Sequence, residues 1–295
     1  MTGIQRIEHA KLRVEELDSA LEFYTDIVGM VELGRTADEI YLGCGVDDRY
    51  DLVLTEGGTG VDHFALRVDD RETLDKYADS VADHGVETDR THKTTAGIGE
   101  GVRFSLPSGV EAELVTVDDH GYRRPTDANP ERGSHTPVDL DHITLMSTSI
   151  QDDVEFLTEP LGFRISEVHE LPEGGWRFAW TRFGHQHHDV ALVNGDALDE
   201  TLHHLAFTMS SLSHMKSFLD TMAARDHSLE VGINRHTVGQ NLFSYFRAPG
   251  GNRIELSTEI ATLDDATETR VNEHEVDTLT AWGGIAAPET FREGS

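Results

Sequence analysis

The sequence predicts an α+β fold built from tandem βαβββ modules, two per domain, and three observations carry that prediction. The first is an internal repeat. EFYTDIVGM at 22–30 has the layout of EFLTEPLGF at 155–163, displaced by 133 residues. VDHFALRV at 61–68 matches LHHLAFTM at 202–209, displaced by 141, and SLPSGVEAELVT at 105–116 matches RAPGGNRIELST at 247–258, displaced by 142. Matches in one order with nearly constant displacement indicate tandem duplication of a unit of about 110–130 residues. The second is that apolar spacing within each unit switches between the period of strands and that of helices. The third is the stretch 118–137, whose three prolines and two glycines mark a linker. The boundaries that follow are an N-terminal domain at 1–118, a linker at 119–137, a C-terminal domain at 138–260 and an acidic tail at 261–295.

In the first unit IEHAKLRV alternates like a strand, and LDSALEFYTDIV has helical spacing, with Asp18 as its expected cap and Gly29 as its stop. Strands IYLGC and DLVLTE follow, then VDHFALRV, a helix near ETLDKYADSVADHG, and strands around VRFSL and AELVTV. The second unit repeats the order with RFAWTRFG, DVALVN, LHHLAFTM, the helix HMKSFLDTMAARD, LFSYFRA and RIELST. The tail after Glu259 is acidic and threonine-rich, and Trp282 is its expected aromatic anchor.

The 295 residues can bury a sizeable core in two domains. No apolar run reaches the ~18 residues of a membrane span, and no basic-then-apolar leader opens the chain. A single cysteine, Cys44, excludes an internal disulfide framework and suits a reducing cytoplasm. Acidic residues number 55 against 24 basic, only four of them lysine, for a net charge of −31. Such a charge repels nucleic acid and anionic membranes, so neither is an expected partner. Spread along the whole chain, it reads as a surface suited to a salty cytosol, where screening removes most self-repulsion.

Strand parity selects a metal site. In LDHITLMS, Ile143 and Leu145 share one face, and His142, Thr144 and Met146 share the other. In LHHLAFTM, His203 goes with Leu205, Phe207 and Met209, while His204 lies opposite. In RIELST, Glu255 lies opposite Ile254 and Leu256. If helices cover the apolar face, His142, His204 and Glu255 all project to the other side. Two histidines and a carboxylate with open positions form the arrangement expected of a non-haem Fe(II) oxygenase. Further candidates are His188 in GHQHHDVAL, where it follows His185 and His187, His236 in NRHTVGQ, and Tyr245, ten residues before Glu255. Imidazoles titrate near neutrality and suit the movement of hydroxyl protons.

These motifs, LDH at 140–142, HHDVAL at 187–192, LHHLAF at 202–207, NRH at 234–236 and YFRAPGGNRIE at 245–255, resemble the two-domain type I extradiol dioxygenases. That family, catechol 2,3-dioxygenases above all, lies within the vicinal oxygen chelate (glyoxalase, bleomycin resistance, dioxygenase) superfamily. The resemblance covers nearly the whole chain and is most specific over 139–258. It implies two vicinal oxygen chelate-type incomplete barrels and Fe(II), with Mn(II) as the alternative, on His142, His204 and Glu255. It implies that His188 is a second-sphere acid/base, that His236 and Tyr245 bond the substrate oxygen and the intermediates, and that Trp180 lies against the substrate. The substrates implied are O₂ and a small catechol, opened next to the diol to a 2-hydroxymuconate-semialdehyde-type product. A homo-oligomer, often a tetramer, goes with it.

Two departures bear on the substrate. Gly239 stands where relatives acting on two-ring catechols carry Asp, and Val231 where relatives binding a substrate carboxylate carry Arg. Both favour a small uncharged catechol. In the N-terminal domain His9, His63 and Glu113 occupy repeat-equivalent positions. Lys11, Arg13 and Arg67 on the same face oppose a divalent ion and suit ion pairs with Glu111 and Glu113, so this domain is expected to be metal-free and structural. The alternatives are a glyoxalase-like isomerase or thiol transferase, and a metal-free ligand-sequestering protein. One unit supplying all three ligands and three proton-handling residues favours dioxygenation over the first, and the His142, His204 and Glu255 set argues against the second.

Overall fold

The computed structural model describes residues 3–92, 97–118, 124–195, 200–273, 280–283 and 288–295. Four βαβββ modules follow one another. The first comprises β1 (Ile4–Val14), α1 (Leu17–Glu22), β2 (Val31–Arg35), β3 (Glu39–Gly43) and β4 (Leu52–Glu56). The second comprises β5 (Val61–Val68), α2 (Arg71–Asp83), β6 (Asp89–His92), β7 (Ile98–Ser105) and β8 (Glu111–Val117). The third is β9 (Asp139–Ser147), α3 (Ile150–Thr158), β10 (Arg164–Glu170), β11 (Trp176–Arg182) and β12 (Val190–Asn194). The fourth is β13 (Leu202–Thr208), α4 (Leu212–Ala224), β14 (Val231–Arg235), β15 (Leu242–Arg247) and β16 (Arg253–Thr258).

Modules pair within each domain through their first strands, which run antiparallel at the centre of the sheet. The orders are β2-β3-β4-β1-β5-β8-β7-β6 and β14-β15-β16-β13-β9-β12-β11-β10, the latter extended by β17 (Arg270–Glu273) from the tail. Each sheet curves into an incomplete barrel. The strands after the helices, β2, β6, β10 and β14, escaped the hydropathy pattern because three of them are short and largely polar, as DRTH in β6 shows. Strands β2, β6 and β14 lie at sheet edges, where one neighbour suffices.

Helix α1 differs from expectation at both ends. It starts at Leu17 after Glu16, and Asp18 lies inside its first turn instead of capping it, because the chain turns helical one residue earlier. Its last turn widens so that Val28 N–H reaches the Phe23 carbonyl at 3.2 Å, and Gly29 with φ +80° then reverses the chain. Conventional N-caps open the two longest helices, α2 and α4: Asp70 accepts from Thr73 N–H at 2.8 Å and Ser211 from His214 N–H at 3.1 Å.

One apolar core runs through both domains, with Phe23 beside Phe246 and Phe104 beside Phe156. Polar contacts fix the register between them: Arg6 to Asp139 at 2.5 Å, and Asn252 to both the Gly60 N–H and the Arg13 carbonyl at 2.7 Å. The described part of the linker is packed as well, with Arg132 donating to the Cys44 and Thr136 carbonyls. No helix among the described residues is long and apolar enough to cross a membrane.

The tail folds back, but not on Trp282, which is 56% exposed and whose ring, among the described residues, meets the Arg235 guanidinium. Its anchor is Phe291, packed edge-on against His203 and Tyr245. Size did not decide the anchor. The buried guanidinium of Arg253 did, 4.7 Å above the Phe291 ring.

Candidate metal centre

Strands β9, β13 and β16 are neighbours, and each contributes one candidate ligand to the barrel interior. His204 Nε2 lies 3.0 Å from Glu255 Oε2 and 3.3 Å from His142 Nε2, and the His142 Nε2 to Glu255 Oε2 separation is 3.4 Å. Donor atoms bound ~2.0–2.2 Å from one ion stand about this far apart, so the three fit a single cation without rearrangement. All three are buried. Asn241 Nδ2 donates to Glu255 Oε1 at 2.9 Å and to Ser257 Oγ at 3.2 Å, which leaves Oε2 to face the imidazoles. Asp141 Oδ1 lies 3.7 Å from His142 Nδ1, beyond hydrogen-bond distance, and Gln186 bonds Asp141.

Protonation follows from this geometry. Burial alone would raise the Glu255 carboxyl, but His142 and His204 hold it well below its usual range. Burial disfavours charge on His142, yet the Glu255 and Asp141 carboxylates outweigh it and lift the imidazole to about 10. Burial together with the charge on His142 pushes His204 down to about 4, against the pull of Glu255. One carboxylate thus retains one proton on two imidazoles. A cation bound there takes that proton's place.

The other candidates lie around this set. The His188 ring is 4.3 Å from that of His142, and burial followed by the repulsion of His142 and His187 depresses it well below an ordinary imidazole. His236 Nε2 is 3.0 Å from the Tyr245 hydroxyl, and the His236 ring stacks on Phe243 at 3.8 Å. Tyr245 lies 5.2 Å from the His204 ring, and burial and the Glu255 charge raise its phenol well above the usual range. Trp180 is less central. It is half-buried on β11 and meets His169 edge-on at 5.0 Å. Its route inward runs through His169 and Glu167 to His187, which lies 3.5 Å from Glu167 and 3.1 Å from His188. Burial would raise Glu167, but the bonds from His169 and His187 hold it down to about 2.

Residues 139–256 match the model of the Glyoxalase/Bleomycin resistance protein/Dioxygenase superfamily, and residues 61–118 that of the catechol 2,3-dioxygenase-like N-terminal domain. The chain is similar to a metapyrocatechase of Pseudomonas sp. (strain CF600), 29% identical over 86% of each chain. It is 27% identical to a manganese-dependent 2,3-dihydroxybiphenyl 1,2-dioxygenase of Geobacillus genomosp. 3, over 86% of this chain and 84% of that one. Its structure superposes on the 2,3-dioxygenase LapB of Pseudomonas sp. KL28 with a TM-score of 0.85 and 30% identity, over 92% of this chain and 98% of that one. The chain belongs to the extradiol dioxygenases.

In this dioxygenase the N-terminal repeat gathers a second set, His9, His63 and Glu113. The His9 and His63 rings lie 5.5 Å apart at 83°, against 5.4 Å and 83° for His142 and His204. The expected ion pairs are arranged differently. Lys11 goes to Glu39 at 2.7 Å, Arg67 to Glu8, and Arg13 to the Thr59 and Val61 carbonyls. Arg103 reaches Glu113 instead, because the two are directly opposed on β7 and β8. Its Nη2 stands 3.3 Å from both Glu113 Oε2 and His63 Nε2, which are 3.6 Å apart, so a guanidinium bonds two of the three donors.

Parity put His204 on the face it shares with His142 and Glu255, where the structure has it, but misplaced His203. Two residues of β13, from Leu202 to His204, oppose the single step from Leu145 to Thr144 on β9. This bulge turns His203 beside His204, with their Nδ1 atoms 2.6 Å apart, instead of to the opposite face. The extradiol dioxygenase thus carries two adjacent histidine pairs, 187–188 and 203–204, each with one member behind the other.

Proposed function

We propose that this extradiol dioxygenase cleaves a small, uncharged catechol next to its diol, giving a 2-hydroxymuconate-semialdehyde-type product. The observation that carries the reading is the His142, His204 and Glu255 triangle with a neutral His188 and a protonated Tyr245 at its rim. Iron(II), or manganese(II) in its place, held by those three side chains would offer adjacent positions to a catechol and O₂ and remove the spin barrier to their reaction. His188 is kept neutral by burial and is therefore a proton acceptor for a catechol hydroxyl, and it returns that proton after ring opening. Tyr245, kept as a phenol, donates to a substrate oxygen, with His236 fixing the direction of its hydroxyl. Val231 is buried with Phe243, Tyr245 and Phe291, so hydrocarbon lines the position from which an arginine would grip a carboxylate.

The substrate class is tested by kcat/KM for catechol and alkylcatechols against a catechol bearing a carboxylate side chain. The uncharged ring should be favoured by about tenfold or more, the cost of burying one unpaired carboxylate against hydrocarbon being at least ~1.4 kcal/mol. Preference for the carboxylated ring would overturn the assignment.

We further propose that the N-terminal domain holds no metal, since the Arg103 guanidinium contacts both Glu113 and His63 and sets a positive charge against two of the three donors. Titration with Mn(II) at neutral pH should saturate at one ion per chain and release about one proton, the one held on His142. The sign is set by the raised His142. Below about 10 the metal must displace a proton, so affinity rises with pH. Two ions per chain would place one of them in the N-terminal set.

The net charge of −31 supports a salt-rich cytosol as the working environment. Fold and turnover should persist in molar salt and weaken in dilute buffer, as read by circular dichroism and oxygen uptake. Equal stability at both extremes would contradict it. A homo-oligomer completes the proposal, to be read from mass in solution.

A further inference from the structure

The C-terminal segment ends against the strand that carries His204. Ser295 N–H donates to the Leu202 carbonyl at 2.8 Å, and Leu202 N–H returns a bond to Ser295 O at 2.9 Å. Arg253, fully buried, ties the segment down on the other side. It donates to the Thr290 and Glu293 carbonyls at 2.8 and 3.0 Å and to the His203 carbonyl at 2.9 Å, and it pairs with Glu230. Between these two anchors the Phe291 carbonyl lies 2.9 Å from His203 Nε2.

A carbonyl can only accept, so His203 must carry its proton on Nε2. A neutral imidazole has one N–H, and in the buried His203 it is spent on the Phe291 carbonyl. Its Nδ1 is therefore a lone pair, and the 2.6 Å contact to His204 Nδ1 requires the proton of that contact to belong to His204. His204 is then protonated on Nδ1 and bare on Nε2, the atom that faces Glu255 and His142.

The N-terminal repeat provides an internal comparison. Asp62 precedes His63 as His203 precedes His204, and its Oδ2 lies 3.0 Å from His63 Nδ1. A carboxylate accepts unconditionally. A histidine in the same place accepts only if something else takes its proton, and in the catalytic repeat that something is the tail.

We propose that residues 288–295 are part of the metal centre, acting through His203 as a positioning residue: the Phe291 carbonyl fixes the tautomer in which His204 offers Nε2 to the metal. The inference rests on His204 being a ligand, as proposed above. Without the tail, His203 is free to present Nδ1–H, and His204 then turns its own N–H toward the ion.

The test measures Mn(II) affinity by competition with a chelator, beside circular dichroism to certify the fold. Deleting 288–295 should weaken Mn(II) binding by about 10–100-fold, the usual size for an outer partner of a ligand histidine. His203→Asp, which copies Asp62, should restore most of that affinity in the shortened chain. In the full-length chain His203→Leu should lose affinity by a similar factor and His203→Asp should keep it, so the test stands even if the shortened chain does not fold. A folded truncation with unchanged affinity, or His203→Leu and His203→Asp behaving alike, would overturn the proposal. His204→Ala separates the two readings: if it still binds one Mn(II) per chain, the ligand assignment fails, whatever the tail does.

Discussion

Glu255→Gln should empty the metal site while leaving the barrel folded. Glu255 is 1% exposed and supplies the only carboxylate among the three proposed ligands. Because Asn241 Nδ2 donates to Oε1, a glutamine would place its oxygen there and aim its NH₂ at the two Nε2 atoms, where a cation has to sit. Removing one partner from a buried charged set costs ~3–5 kcal/mol. Metal affinity should therefore fall by on the order of 10²–10⁴, and turnover should fall with it. Mn(II) titration with circular dichroism checks the expectation. Wild-type metal content in the variant would remove Glu255 from the ligand set.

His188→Gln should show the converse, full metal content with turnover lowered by about 10²–10⁴, the usual range for loss of a positioned acid/base. His188 lies 4.3 Å from the His142 ring and contributes no atom to the triangle of donors. Its depressed pKa keeps the accepting form present at and below the ordinary imidazole range, so wild-type turnover should not lose this base as pH falls toward mild acidity. The readout is kcat beside metal content. A variant with normal kcat, or one whose activity returns on adding metal, would mean that His188 moves no proton in the reaction.

Much of this site was legible before any coordinates. The repeat located the modules, and period-two parity on β9, β13 and β16 brought His142, His204 and Glu255 to one face, because buried strands cannot slip by one residue without inverting their cores. What parity could not represent was the bulge at His203, since an extra residue changes face without changing the pattern of residue types. The doublets at 187–188 and 203–204 were visible, but their meaning needed the distances to Glu167 and to the Phe291 carbonyl. Asn241 left no signal, being one polar residue in a loop before β15. Arg103 was missed because the positive charges were judged along β1 and β5, while its partner Glu113 is reached across β7 and β8. Trp282 was the expected aromatic anchor of the tail, yet Phe291 packs beneath Arg253 in that place.

Ring cleavage at this site is read from the product of a single anaerobic loading. The chain is reconstituted with Fe(II) in high-salt buffer, given catechol, then mixed with ¹⁸O₂, and the product is analysed by absorbance and mass. Extradiol cleavage should consume one O₂ per catechol and give a yellow 2-hydroxymuconate semialdehyde that has gained two oxygen atoms, absent in His204→Ala. A colourless dicarboxylate, or recovery of intact catechol from metal-loaded protein, would contradict it.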